Sequence, residues 1–261
     1  MEAMLKRCAG LDVHQETIVA CVLKGELGKK PESEIRTFGT YTKDLEELHE
    51  WLLEEKVEQV AMESTGVFWK CVWNIIEDEN YEIKLANARD IKNKPGRKTD
   101  VKDAQWIAEL LRCGLIEGSF VPKVEIREIR ELTRYRRKII QLASAEKNRI
   151  HKILQDANIK LTTDLSDIFG DTGRKLIEKI IEGKEITDQE LMEITSGRGK
   201  ASLREKLPQI KEGLKGTTRD HHRKIIKLIY EHLKYLEKEQ EEIEKLIDNA
   251  CEKYKKEIEL L

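Results

Sequence analysis

The chain has no run of about 18 apolar residues, so no helix in it is long and apolar enough to span a membrane, and no secretory h-region is read near its start. It also has no C-x-x-C. The five cysteines (Cys8, Cys21, Cys71, Cys113 and Cys251) are odd in number and widely spaced. That argues against a disulfide framework and a cysteine zinc site, and predicts reduced, mostly buried thiols in a cytoplasmic protein. Aromatic residues are scarce, at 5%, while charged residues reach 38% of the 261 positions. This imbalance predicts long solvated helices beside a modest core. The length admits one large domain or two smaller ones.

What the chain has is charge, and the charge is segregated. Residues 1–83 carry 18 acidic and 9 basic side chains, residues 84–230 carry 22 and 33, and residues 231–261 carry 10 and 6. The balances of -9, +11 and -4 sum to the overall -2. Mixed charge would serve solubility better, so a basic centre between acidic ends points to nucleic acid as the partner. Helices solvated by lysine are the blander alternative.

The N-terminal part alternates strand and helix. Cys8–His14 and Thr17–Leu23 are apolar runs split by Gln15-Glu16, which predicts a β-hairpin. Ser33–Phe38, Val57–Met62 and Tyr81–Ala86 are further strands. A helix over Leu45–Lys56, capped by Thr42 or Asp44, aligns Leu45, Leu48 and Leu52. A second, capped by Ser64 or Thr65 and running to Glu79, is predicted to bury Val67, Cys71 and Ile75, with Trp69 and Trp73 read as core rather than as a base-stacking platform. A basic loop follows, carrying Lys94, Arg97 and Lys98. The next helix runs from about Asp100 to Cys113, where Gly114 stops it. The expectation is an α/β domain over residues 1–121, a mixed sheet with flanking helices, bounded by Pro122.

Residues 122–261 read as all-α. Ile129, Leu132, Arg136, Ile139, Ala143, Glu146, Ile150, Ile153 and Ala157 step by three and four; so do Ile226, Ile229, Leu233, Leu236, Gln240, Ile243, Ile247, Ala250 and Tyr254 in a series extending to Leu261. Both are heptad seams, bracketing a cap of shorter helices at about 158–220. They predict a coiled coil, paired antiparallel within one chain or with a second chain, and a homodimer or higher oligomer built through it.

Four acids carry the chemistry. Asp12 follows Ala9-Gly10-Leu11 and Glu63 follows Val60-Ala61-Met62, each at the end of an apolar strand. A carboxylate there needs a cation or strong donors, and neighbouring parallel strands project such acids into one crevice. Turn amides or a helix N-terminus would satisfy each acid singly. Asp100 and Asp103, at i and i+3, share a helical face beside Lys102. Capping needs only one of them, and two close carboxylates repel unless a cation lies between. A hard cation such as Mg²⁺ takes oxygen ligands of this kind.

Gly10-Leu11-Asp12-Val13-His14, Glu63-Ser64-Thr65-Gly66 and Lys98-Thr99-Asp100-x-x-Asp103-Ala104, in this order and followed by a coiled coil, resemble the motifs of the DEDD insertion-sequence transposases. The resemblance implies a RuvC-like, RNase H-type catalytic domain. It places a metal tetrad on Asp12, Glu63, Asp100 and Asp103, with Mg²⁺ or Mn²⁺ as cofactor, two ions being expected. It also implies DNA strand cleavage and transfer, guided in some members by a structured bridge RNA. Family members carry a further C-terminal domain with a nucleophilic serine; no serine here matches it, Ser196 before Gly197-Arg198-Gly199 included, so a truncated form without complete recombination is the expectation. Other readings are a Holliday-junction-type nuclease using water, a non-catalytic RNA-binding and dimerisation module, and an actin-like ATPase, the last disfavoured by the lack of a second glycine-rich phosphate loop. Arg127, Arg130, Arg134, Arg136, Arg137 and Lys138 are too dense for solvation alone and are assigned, with Lys94, Arg97, Lys98 and Lys102, to nucleic-acid backbone contact. His14 is a substrate contact or a strand-end polar residue. His221-His222 opens a helix with no paired ligand in sight.

Overall fold

The computed structural model describes residues 2–64, 66–93, 103–196 and 201–260. It divides into two units, Met1–Pro122 and Lys123–Leu261. In the first, β1 (Arg7–Val13), β2 (Ile18–Lys24) and β3 (Glu32–Phe38) are followed by α1 (Thr42–Glu54), β4 (Gln59–Glu63), α2 (Trp69–Ile76), β5 (Glu82–Ala86), α3 (Ala88–Asn93), α4 (Asp103–Arg112) and a short β6 (Gly118–Ser119). The sheet order is β3-β2-β1-β4-β5-β6. Strands β1 to β3 form an antiparallel meander with Asp12 opposite Val19, and the amide of His14 closes the first hairpin on the Thr17 carbonyl at 2.9 Å. Strand β4 runs parallel to β1 and β5 parallel to β4, each reached through a helix. The expected mixed sheet with flanking helices is what the chain forms.

Alternation along the strands makes two cores. Ala9, Leu11, Ile18, Val22, Val60 and Met62 pack on α1 and α2, through Leu45, Leu48, Trp51, Val72, Trp73 and Ile76. Cys8, Cys21, Leu23, Ala61 and Ala86 pack on α4, through Ala104, Trp106, Ile107, Ala108 and Leu111. Three details differ from the sequence-based expectation. Helix α2 begins only at Trp69, because residues 66–68 form a turn with Gly66 at φ +63°. Its buried face is Val72, Trp73 and Ile76, leaving Val67 65% exposed and Cys71 at the surface. Only Cys8 and Cys21 of the five thiols are buried, and burial pushes the Cys8 thiol up to about 12, which keeps it protonated and inert.

The second unit is all helix: α5 (Val124–Asp156), α6 (Leu161–Asp164), α7 (Asp171–Glu182), α8 (Asp188–Ile194), α9 (Ala201–Glu205), α10 (Leu207–Gly213), α11 (Asp220–Cys251) and, after a 3-10 turn at Glu252–Tyr254, α12 (Lys255–Ile258). The second seam therefore breaks at Cys251 and does not run on as one helix to Leu261. Helices α5 and α11 pair antiparallel within the chain, since Arg136 meets Glu244, Glu146 meets His232, and Asp156 meets His222. Ile139, Ala143 and Ile150 of α5 share one core with Ile226, Leu233, Leu236 and Ile243 of α11. Glu146, in the seam and 5% exposed, is held by Arg149 and by His232 at 2.9 Å, so its carboxylate is paired where it would otherwise be costly.

Candidate functional site

Strand parity decides where the acids point. Cys8 faces α4, so Asp12, two pleats further along β1, lies on the same side of the sheet. Ala61 likewise faces α4, which puts Glu63 of β4 on that side. The parallel register pairs Leu11 with Met62, so Asp12 and Glu63 follow as neighbours at the carboxyl ends of adjacent strands. Asp103 is the first residue of α4, the helix that covers this face. Gly10 lets it come close. A Cβ there would sit 2.3 Å from the Ala104 carbonyl oxygen and 2.4 Å from the Ala108 nitrogen. Only a residue without a side chain admits that approach.

The Asp12 side chain is 23% exposed, and burial lifts its carboxyl above the ordinary carboxylate range. The His14 ring, with Nε2 3.1 Å from Oδ2, pulls it down, while the negative charges of Asp103 and Glu63 push it up. Asp12 thus feels the charge of both other carboxylates, which are oxygen donors of the kind a hard divalent cation takes, although the three do not bring ligand atoms within 4.8 Å of one another and Asp103 is exposed. The fourth acid, Asp100, lies outside the described residues, as do Lys94, Arg97, Lys98 and Lys102. His14 touches Asp12, which gives it a part in positioning that its place at a strand end left open.

The remaining basic residues all lie on α5, and the helix sorts them. At about 100° per residue, Arg127, Arg130, Arg134, Arg137 and Lys138 fall within an arc of about 100°, and Arg136 falls on the opposite side. Arg136 faces the seam, where Nη2 lies 2.7 Å and Nε 2.8 Å from Oε1 of Glu244. Arg130, Arg134, Arg137 and Lys138 are exposed, and among the described residues none of these four has a carboxylate partner. The density of cations was visible in the sequence; the separation of one from the rest follows from the seam.

His221-His222 does have a partner, contrary to the sequence-based reading. Nε2 of His222 lies 2.8 Å from Oδ2 of Asp156, a residue 66 positions away that only the antiparallel pairing brings near. No helix among the described residues is long and apolar enough to cross a membrane.

Comparison with known proteins adds the family. Among solved structures, the RuvC of Thermus thermophilus is similar at 13% identity over 43% of this chain and 99% of its own, with a TM-score of 0.32. T. thermophilus RuvC in complex with a Holliday junction substrate is similar at 14% identity over 44% of this chain and 100% of its own, with a TM-score of 0.29. A comparison with curated proteins finds no match. The model of the IS110-type DEDD transposases, described as a transposase, matches residues 9–159 and so takes in Asp12, Glu63 and Asp103 together with all of α5. That span exceeds half of the chain, and the chain belongs to the DEDD insertion-sequence transposase family.

Proposed function

We propose that the chain cuts and transfers DNA strands with divalent metal ions, Mg²⁺ or Mn²⁺ and two of them, held by Asp12, Glu63, Asp103 and Asp100. The observation that carries this reading is the placement of Asp12, Glu63 and Asp103 on the α4 face of the sheet, with the Asp12 carboxyl raised chiefly by burial and further by the charges of Asp103 and Glu63. When bound, such ions polarise a scissile phosphate and stabilise the oxyanion that develops on it. The chain's own residues prepare the place. β1 and β4 fix two carboxylates in register, Gly10 lets α4 deliver a third, and His14 restrains one oxygen of Asp12. Partial exposure of Asp12 leaves room for a phosphodiester to approach. In this reading residues 1–121 are catalytic, and residues 122–261 hold nucleic acid and partner subunits. Incubation of supercoiled DNA with the chain and Mn²⁺ should give nicked or joined products, and Glu63→Gln should reduce them to background. Cutting that survives Glu63→Gln overturns the assignment.

The arc of Arg127, Arg130, Arg134, Arg137 and Lys138 is the proposed backbone contact, for DNA and for a structured guide RNA. Each phosphate neutralised adds about 0.9 to the slope of log affinity against log salt on duplex DNA. With roughly six contacts, affinity should fall on the order of a thousandfold between 50 and 200 mM salt. Arg130→Gln, Arg134→Gln and Arg137→Gln together should flatten the slope by about 2.7. Arg136→Gln should barely change it, since that charge is engaged with Glu244. Equal effects from Arg136 and from the other three would refute the arc.

A homodimer through the same hairpin is the remaining part of the proposal. The heptad seams are occupied by each other, so a second copy has to use an outer face. Leu228, Tyr235 and Leu246 of α11 stand 67%, 58% and 53% exposed, in one stripe at spacings of seven and eleven. Light scattering at micromolar concentration should report a dimer, and Leu228→Asp with Tyr235→Asp should report a monomer. A wild-type monomer would remove this part of the reading.

A further inference from the structure

We propose that Asp156, His221 and His222 form a second cation site, separate from the acids of the α/β unit and selective for a Zn²⁺-class ion. It lies at the base of the cap, where α5 ends and α11 begins. Each of the three residues offers one ligand atom, and these atoms all lie within 4.8 Å of one another; no other such group is found among the described residues.

Two imidazole nitrogens and one carboxylate oxygen make a borderline donor set. Such a set suits Zn²⁺, Co²⁺ or Ni²⁺, whereas Mg²⁺ and Ca²⁺ prefer oxygen alone. At zinc–ligand bonds of about 2.0–2.1 Å, tetrahedral ligands sit about 3.4 Å apart. The Asp156 to His222 separation of 2.8 Å is a hydrogen bond, which has to open by about 0.6 Å and give up its proton to admit the ion. Closing the set therefore requires a small opening of that pair and an approach of the exposed His221 from within 4.8 Å. Asp156 and His221 face solvent, so a water can complete the coordination.

Three further features favour the site. His222 is 5% exposed, and its burial limits the ordering cost of binding. Asp156 is the last residue of α5, at the negative end of the helix, and no basic residue occupies that last turn. The backbone at the base of the cap is also tightly fixed. The Thr217 amide donates to the Ala157 carbonyl at 2.8 Å, and a Cβ on Gly216 would lie 2.3 Å from that same oxygen. An ion here would join both ends of the segment from 157 to 219 and act as a staple for the cap, because it binds the folded arrangement alone.

The proton balance sets a specific signature. The Arg219 amide donates to Nδ1 of His222 at 3.2 Å, so the neutral ring carries its proton on Nε2 and donates it to Asp156. Ligation through Nε2 expels that proton, and a proton enters Nδ1 from solvent. The Arg219 amide then loses its acceptor on the ring, a cost that ligation has to exceed.

The test is a Zn²⁺ titration of the full chain by calorimetry, in excess Mg²⁺ and in the Asp12→Asn background. Both conditions keep Zn²⁺ from being counted at the carboxylates of the other unit. We expect one Zn²⁺ per chain, a rise in melting temperature with Zn²⁺ but not with further Mg²⁺, and binding at least tenfold weaker in His221→Ala and in Asp156→Ala. Both substituted residues are exposed, so the two variants should fold. Nitrogen-15 NMR should show the Nε2 signal of His222 and the amide signal of Arg219 shifting together on Zn²⁺ addition. Absence of Zn²⁺ uptake, or undiminished uptake in either variant, overturns the site. Failure here leaves the reading of Asp12, Glu63 and Asp103 intact, because that reading concerns other residues and other ions.

Discussion

Asp12→Asn and Asp103→Asn should each abolish Mn²⁺ binding at the α/β unit as followed by calorimetry, and lower strand cleavage by about a thousandfold. The magnitude follows from the several kcal/mol that metal-ion charge stabilisation supplies, at 1.36 kcal/mol per factor of ten. The two substitutions should part company in stability. Burial raises the Asp12 carboxyl, so without metal the folded chain binds this proton more readily than the unfolded chain does. Between the ordinary carboxylate value, about 3.9, and the raised one, the native state holds more protons, and stability falls as pH climbs through that window. Above it the penalty is fully present. Asp12→Asn removes the penalty and should raise the metal-free melting temperature at neutral pH. Mn²⁺ should stabilise the wild type at neutral pH, less so as pH falls into the window, and the Asn variant at no pH. Unaltered Mn²⁺ binding in both variants would dissolve the proposed cluster. A metal-free melting temperature lowered by Asp12→Asn would show that the carboxylate is held by donors rather than awaiting a cation.

Much of this was legible in the residues themselves. The apolar runs around Gly10 and Ala61 gave strands, and the period of two along them already puts Cys8 and Asp12 on one face. The two heptad series gave the long helices because a seam of that length has few other uses. What escaped was whatever depends on a partner distant in sequence. Asp156 is an ordinary helical acid until α11 folds back beside it, 66 positions later. Arg136 looks like its neighbours until Glu244 faces it. Local signals failed differently at α2. Ser64 and Thr65 are good caps in isolation, but Gly66 at positive φ keeps the chain in a turn until Trp69, so the buried face advances by one residue to Val72, Trp73 and Ile76. Helix α3 was hidden by the basic stretch that follows it, and β6 by having only two residues.

Gly10 is the position where one methyl group should do the most damage. In a strand interior glycine is normally a weakness, since it costs backbone entropy and packs nothing. Here a Cβ would stand 2.3 Å from the Ala104 carbonyl oxygen, 2.4 Å from the Ala108 nitrogen and 3.0 Å from the Ala108 Cα. All three are backbone atoms of α4, so no side-chain rotation relieves the clash. Either β1 or α4 has to move, and overpacking of this kind costs about 1–3 kcal/mol or more. Because Asp103 directly precedes Ala104, lifting α4 also withdraws a carboxylate from Asp12. Gly10→Ala should therefore lower the melting temperature by several degrees and weaken Mn²⁺ binding, while Gly10→Val should prevent the α/β unit from folding. Gly173 in α7 supplies the control. A Cβ there would meet the Ile168 carbonyl oxygen at 2.1 Å, in the other unit and far from any of the acids in sequence. Gly173→Ala should destabilise the helical unit comparably and leave Mn²⁺ affinity unchanged. Should both alanine variants lose metal equally, general unfolding rather than the displacement of α4 is the cause. Should Gly10→Ala keep wild-type stability and affinity, the close approach of α4 to β1 is not what sets Asp103 beside Asp12.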